Sequence, residues 1–417
     1  SFTLHHSSRS WDYAPAMSDY WAYPNRLSNS GIGWSLHFGR LLHPDDIANP
    51  GTLWKYVSPD GGEHDFYSTL HSGELNTADG DTAQNLVEYT RDSTYLRLKH
   101  SADGATQEIE FPDGTIRKFL RVGATTEYRL NEIRARYPAP PSAPLNWVRF
   151  AYPDALTWTI TDSQGRSHTV KFVNLQYDAA PKPMIDYVDL EAFDGTKGRW
   201  NFTYLGGGSS TIYRDCHQNN GTTLSDPVLA SLTRPDGTTW SFENYNVDPG
   251  PGRWECRQSV LRQITDPSGG KILYDYSTFS MPVNDPCDDP LGMEGQISLL
   301  RVQTRTFRDP VVTNPTVADA VWGYDYVLNT PPMQDLCPTP GLEAAPPEEL
   351  TVTVTTPLLD KTQYFFSVWT DFQPSLSGFV HGEYGLPFTR FDPVAGRFLS
   401  SIDLDCDSDG DPCVEKR

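Results

Sequence analysis

Apolar and polar residues alternate in short stretches of this chain, and each stretch ends at a turn. An apolar strand runs into Pro/Asp-x-Gly, and an aromatic-rich strand leaves it. The pattern reads Trp54-Lys55-Tyr56-Val57, then Pro59-Asp60-Gly61, then Phe66-Tyr67. It returns as Ile109-Glu110-Phe111, Pro112-Asp113-Gly114-Thr115 and Ile116 to Phe119, and as Leu232, Pro235-Asp236-Gly237-Thr238 and Trp240-Ser241-Phe242. Looser copies place Asp162 to Gly165 before Val170-Lys171-Phe172, Asp194-Gly195 before Trp200 to Tyr204, and Asp266 to Gly269 before Ile272 to Tyr276.

Proline presets φ for a turn, aspartate bonds the backbone ahead of it, and glycine accepts positive φ. Alternation on both sides then makes a hairpin with one buried face. The expected fold is all-β: a large antiparallel sheet of irregular β-hairpin repeats, with Gly114, Gly237 and Gly269 at turns. One hairpin is marginal alone, so neighbours must stack, and the sheet is expected to coil into a shell or solenoid. Alternation leaves one face of such a sheet polar. A sheet curving around that face would enclose a wet chamber. The alternative is a set of unrelated hairpins in a β-sandwich. No apolar run at helical spacing competes.

Composition supports strands. Tyr (21) and Phe (19) far outnumber Met (5), and aromatics suit a pleated, half-buried surface. The 34 Pro and 32 Gly punctuate turns and are costly inside helices. Net charge is −21 with no basic stripe, which argues against nucleic acid or an anionic membrane as partner. No apolar stretch approaches the ~20 residues of a membrane span. Ser1 opens no signal peptide, which fits a leader removed or an internal piece of a longer chain.

Interruptions read as surface excursions: residues 137–144 and 331–347 are proline-rich, and 206–210 are Gly and Ser. The chain divides on this reading into an aromatic cap or plug over 1–26, a β-shell over 27–400 and an acidic tail over 401–417. The cysteines are Cys216, Cys256, Cys287, Cys337, Cys406 and Cys413, an even count without a C-x-x-C pair. Their polar neighbours favour disulfides and an oxidising compartment. Loop length and chain order favour Cys406–Cys413, Cys216–Cys256 and Cys287–Cys337, among fifteen pairings. The alternative is six unpaired thiols in a cytoplasmic protein.

Certain local runs carry a resemblance. Tyr274-Asp275-Tyr276 and Trp322-Gly323-Tyr324-Asp325-Tyr326 resemble the hairpins of Rhs/YD-repeat proteins. Leu27 to Leu36, with Gly31-Ile32-Gly33-Trp34, is similar to the Gly-x-Gly-Trp opening of many such shells. Tyr56 to Gly61 and Tyr89 to Leu98 add to it, and the likeness runs over residues 27–400. The family includes bacterial polymorphic toxins, insecticidal toxin-complex shell subunits and teneurins. The resemblance implies a sheet that spirals into a hollow shell and, in bacterial members, holds a toxic C-terminal domain. Two departures stand out. The tidy repeat array of the family's middle is missing, and so is its C-terminal core with self-cleaving aspartates. On this reading the chain is a fragment, the first part of a shell.

Among candidate sites, Asp405-Cys406-Asp407-Ser408-Asp409-Gly410-Asp411 is the sharpest. Alternate carboxylates can converge, and glycine permits the bend, so Asp405, Asp407, Asp409 and Asp411 are candidate calcium ligands. The acid expected at loop position twelve is absent, since Lys416 sits there. A solvated acidic tail is the alternative. Asp285 to Asp289 is a weaker cluster. His5-His6, His64-Asp65 and His381-Gly382-Glu383 lack metal spacing and read as surface histidines. No G-x-S-x-G elbow or phosphate loop occurs, although a pair of glycosidase carboxylates can hide in any sequence. Trp11, Tyr13, Tyr20, Trp21 and Tyr23 form either a docking surface or a cap on the sheet end.

These readings make the chain a structural segment of a secreted or cell-surface protein, with no catalytic residue and no cofactor beyond calcium. Its partner is the rest of its own polypeptide, as cargo or further repeats. The rival readings are a β-protein that binds glycan or protein through aromatic loops, and a glycoside hydrolase.

Overall fold

The computed structural model describes residues 3–6, 11–15, 20–24, 28–46, 53–59, 62–68, 87–92, 94–135, 146–177, 180–205, 227–247, 258–283, 295–310, 319–329, 348–368, 397–405 and 414–415. Among them are 27 strands and no helix, as the alternation requires. The chain divides into two compact units. The first holds Ser1–Asp12, Tyr23–Gly208 and Leu224–Trp240, and the second holds Tyr13–Ala22, Ser209–Thr223 and Ser241–Arg417.

The chain opens with β1 (Leu4–His6), β2 (Trp11–Pro15), β3 (Tyr20–Pro24) and β4 (Trp34–Leu36). β1 pairs with β4, and β2 with β3. Next come β5 (Arg40–Leu42), β6 (Lys55–Val57), β7 (Glu63–Tyr67), β8 (Val87–Thr90), β9 (Arg97–His100), β10 (Thr106–Glu110), β11 (Ile116–Arg121) and β12 (Glu127–Arg134). Each pairs antiparallel with the next, and β12 returns to β5 through Glu127↔Leu42 and Tyr128↔Leu41, so eight strands close a ring. The far end of β12 leaves that ring: Glu132 to Arg134 pair with the start of β13 (Trp147–Asp154).

From β13 the first unit continues as an open antiparallel meander through β14 (Thr157–Asp162), β15 (Ser167–Tyr177), β16 (Ala180–Glu191), β17 (Lys197–Leu205) and β18 (Val228–Thr233). In the second unit the order is again that of the chain. It runs through β19 (Thr239–Val247), β20 (Gln258–Thr265), β21 (Lys271–Val283), β22 (Gly295–Arg308), β23 (Ala320–Asn329), β24 (Glu348–Thr355), β25 (Lys361–Val368), β26 (Arg397–Asp405) and β27 (Val414–Glu415). The first of these strands begins in the first unit.

The expected turns form. Gly114, Gly237 and Gly269 have φ of 83°, 82° and 93°. At the first, Gly114 N donates to Phe111 O (2.8 Å), Phe111 N to Thr115 O (2.9 Å) and Thr115 N to Asp113 Oδ1 (2.7 Å). The two backbone bonds recur around Gly237 and Gly269; Thr238 N donates to Asp236 Oδ1 (2.9 Å), whereas at the third turn Ser268 N and Gly270 N both donate to Asp266 Oδ1. This is a type I turn closed by a left-handed residue. One more copy, Thr356-Pro357-Leu358-Leu359-Asp360, escapes the sequence formula. There Leu359 takes the glycine's place at φ 68° and is 65% exposed.

A second device repeats. β-bulges interrupt the pairings β11–β12, β15–β16, β17–β18, β19–β20, β21–β22 and β25–β26. A bulge strengthens right-handed twist, so a bulge in alternate hairpins builds coiling into the sheet. It also frees a backbone carbonyl from the ladder. Three times a tyrosine on the next strand bonds that carbonyl: Tyr152 to Leu130 O (2.8 Å), Tyr204 to Ile185 O (2.6 Å) and Tyr276 to Leu261 O (2.7 Å). Burial pushes all three phenols above their usual range. The tyrosine of the hairpin formula is thus a latch on the neighbouring bulge.

Candidate functional site

The interior of the first unit holds the densest chemistry among the described residues. Alternate positions of the ring strands point inward and stack in layers. The middle layer is apolar: Phe66, Leu98, Ile109 and Phe119 are each 0% exposed.

At one end of the ring, Arg117 Nη1 donates to Phe38 O (2.8 Å) and to the Tyr56 hydroxyl, and its guanidinium lies 4.9 Å from the Phe111 ring centroid. His64 stacks on Tyr56 at 6.0 Å, and its Nδ1 lies 2.6 Å from Asp92 Oδ2. Burial opposes ionisation of Asp92. Hydrogen bonds from His64 and Thr94 outweigh it and hold the carboxyl at about 2. The carboxylate therefore fixes the hydrogen on Nδ1 and leaves Nε2 as the ring's open position. Such a dyad becomes nucleophilic machinery only with a hydroxyl or thiol beside Nε2. Thr94 bonds Asp92 instead.

At the other end Trp54 lies between two histidines, with ring centroids 4.7 Å from His43 and 5.3 Å from His100, and Tyr128 is 5.1 Å away. Gln107 faces His100 in the β9–β10 register, and Glu88 Oε1 lies 3.6 Å from His100 Nε2.

The meander extends the same core. Phe150, Ile160, Val170, Phe172, Ile185 and Val188 belong to one buried cluster with the ring residues. The opposite face of these strands is polar: Arg199 clamps Asp189 with two bonds of 2.8 Å and lies 3.6 Å from the Tyr187 centroid. The apolar side chains of these strands are the buried ones, and the polar ones are more exposed.

A segment of the chain itself is buried too. Residues 28–37 are ten consecutive buried positions. Polar atoms there must find partners. Asn29 Oδ1 accepts from Leu36 N (2.8 Å), and its Nδ2 donates to Leu36 O (2.9 Å). Ile185 N donates to Asn29 O (2.8 Å), and Ile32 N to Pro227 O (3.2 Å), which ties the segment to the strands around it. Gly31 has φ +90°, and a Cβ there would stand 2.5 Å from Leu229 N. The Gly-x-Gly-Trp run is therefore a buried keystone.

In the second unit one sheet face alternates tyrosine, tryptophan and arginine. Arg305 lies 4.8 Å from the centroids of both Phe307 and Trp322, Arg301 lies 5.9 Å from Tyr326, and Tyr245 is 6.2 Å from Tyr276. Most of these side chains are half-buried.

The sites expected from sequence fall unevenly. Asp405 ends β26, its backbone opposite Val414; its side chain, and Asp407, Asp409 and Asp411, lie outside the described residues. So do all six cysteines, Asp285 to Asp289 and His381 to Glu383. Trp11, Tyr13, Tyr20, Trp21 and Tyr23 lie on β2 and β3, described by backbone alone. His5 and His6 belong to β1, and the His6 ring packs 4.8 Å from Trp34. Sequence reasoning missed the His64–Asp92 pair, whose members are 28 residues apart. A signal existed: His64 lies two residues before Phe66, on the inward parity. Among the described residues no group of three or more His, Cys, Asp or Glu is placed to hold a metal ion.

No family model matches the chain, and no curated protein matches it. Among solved structures it is similar to a porin-like protein from Bacteroides uniformis, with 13% identity, 65% of this chain and 94% of the other covered, and a TM-score of 0.22. It is also similar to the N-terminal domain of effector protein SpvB from Salmonella typhimurium, with 10% identity, 77% and 92% coverage, and a TM-score of 0.18. At such scores neither likeness bears on what this chain does.

Proposed function

We propose that this chain is a non-enzymatic shell segment of a secreted or cell-surface protein, of the Rhs/YD kind, which encloses or presents another part of its own polypeptide. The observation that supports this is the burial of residues 28–37 beneath strands of the first unit. That segment contains Ser28, Asn29 and Ser30, polar residues at 3%, 8% and 0% exposure. Hairpin strands that bury a non-repeat segment and answer its backbone bonds are the kind of packing that enclosing a longer segment would extend. The test is protease protection. A polypeptide joined to the chain in its native order should be digested more slowly with residues 1–417 than without them. Equal digestion rates would overturn the reading.

A second reading, a glycan- or protein-binding module, draws support from the tyrosine–arginine face of the second unit. Aromatic faces stack on sugar rings, and arginines bond carboxylates bidentately. Retention on a glycan array, abolished by Trp322→Ala, would promote it. Calcium at Asp405, Asp407, Asp409 and Asp411 remains part of the proposal, with affinity of ~10⁻⁴–10⁻³ M, the range of extracellular modules. Calorimetry at millimolar calcium should show heat that Asp407→Ala removes.

A further inference from the structure

We propose that the ring end lined by Trp54 and Tyr128 binds a divalent transition-metal cation of the Zn²⁺ class, with His100 Nε2 and Glu88 as its two protein ligands. The argument begins with Gln107, which faces His100 in the β9–β10 register. Its amide nitrogen donates to Gly104 O (3.4 Å), which turns Oε1 toward the imidazole. That oxygen lies 2.6 Å from His100 Nδ1. An amide oxygen only accepts, so Nδ1 carries the hydrogen, and in the neutral ring Nε2 presents a lone pair.

Nε2 is shut off from solvent and, among the described residues, makes no hydrogen bond. The group facing it is the Glu88 carboxylate, whose Oε1 is 3.6 Å away. Glu88 Oε2 is also buried without a hydrogen-bond partner. With the ring neutral, two electron-rich groups face one another across this gap, and among the described residues no hydrogen bond reaches His100 Nε2 or Glu88 Oε2. Burying a carboxylate in that state is costly.

A cation in the gap removes the conflict, and the spacing suits one. Ligand atoms ~2.0–2.1 Å from a tetrahedral zinc stand roughly 3.3–3.4 Å apart, a few tenths of an ångström below the observed gap. Gln107 supplies the outer hydrogen bond that orients a metal-binding imidazole. One imidazole and one carboxylate select Zn²⁺, Co²⁺ or Ni²⁺ over the all-oxygen preference of Ca²⁺ and Mg²⁺. Among the described residues no third ligand joins them, so water completes the shell. The site is an open, weak one of Lewis-acid character.

The test titrates the full chain with ZnCl₂, reading melting temperature and calorimetric heat. The expected result is binding in the micromolar range and a raised Tm. His100→Gln and Glu88→Gln should each abolish both. His43→Gln, on the other side of Trp54, should leave them unchanged. Gln107→Ala keeps both ligands and loses the orienting bond, so it should weaken binding about ten- to a hundredfold. It serves as the decisive variant if a ligand substitution prevents folding. No zinc response in the wild type, or an undiminished response in these variants, would overturn the proposal and leave the gap bridged by a proton alone.

Discussion

In the first unit the inward positions hold Phe66, Leu98, Ile109 and Phe119, all at 0% exposure, and residues 28–37 are buried as well. In the second unit the aromatic face carries Tyr274, Arg305, Trp322, Tyr324 and Tyr326, all only half-buried. Both units use the same turns, and both latch a bulge carbonyl with a tyrosine. The difference lies in the alternate positions between the turns. Aliphatic and phenylalanine side chains there have no polar atom to satisfy, so they can be sealed away from water. Tyrosine and arginine bring a polar end that must stay wet or bonded. One backbone formula therefore supports both a packed interior and an amphipathic surface, and the residue set at every second position chooses.

That contrast can be broken most directly by truncation. Phe119→Ala removes a fully buried ring and should cost about 3–5 kcal/mol in urea unfolding. Tyr326→Ala, half-buried, should cost about 1 kcal/mol. Equal losses would erase the distinction between the units.

The keystone comes next. Gly31→Ala meets both a left-handed backbone and the Leu229 nitrogen, and should cost about 3 kcal/mol. Gly165→Ala shares the positive φ, 82°, but has nothing within 4 Å of its added Cβ, and should cost only about 1 kcal/mol. Matching Tm losses would mean that the enclosed segment is not held as tightly as its bonds suggest.

The latches sharpen the comparison from the other side, because they are common to both units. Tyr152→Phe in the first unit and Tyr276→Phe in the second should each cost about 1–2 kcal/mol, since each leaves a bulge carbonyl unbonded. A loss confined to one unit would limit the latch to that unit. Leu359→Gly should raise stability by about 1 kcal/mol, by relieving the left-handed backbone. Its Tm should rise where every other substitution lowers it.

The smallest effect is that of acid on the turns. Bonds from Thr115, Thr238 and Ser268 hold the carboxyls of Asp113, Asp236 and Asp266 below 3.8. The folded values lie under the unfolded one, so this contribution is intact above about pH 4 and fades as pH falls through the lower folded values. Near-ultraviolet circular dichroism from pH 5 to 2 should show that fading, and it should be smaller in the triple Asp→Asn variant.

Much of this is legible in the chain alone. The turns at Gly114, Gly237 and Gly269 follow from local chemistry, because proline, aspartate and glycine act on the backbone within four residues. The strands between them follow from alternation, and with them the all-β class. Leu359 shows the limit of such reading: its turn forms without the residue the rule demands, because the flanking hairpin imposes the geometry. Only the tertiary structure decided that β12 returns to β5, that residues 28–37 go inside, and that His64 meets Asp92. Each joins residues far apart in the chain. Alternation marks which side chains share a face but not which strand stands opposite, nor whether that face turns toward water. That choice is set by the summed packing of many strands, a quantity that no single stretch of sequence contains.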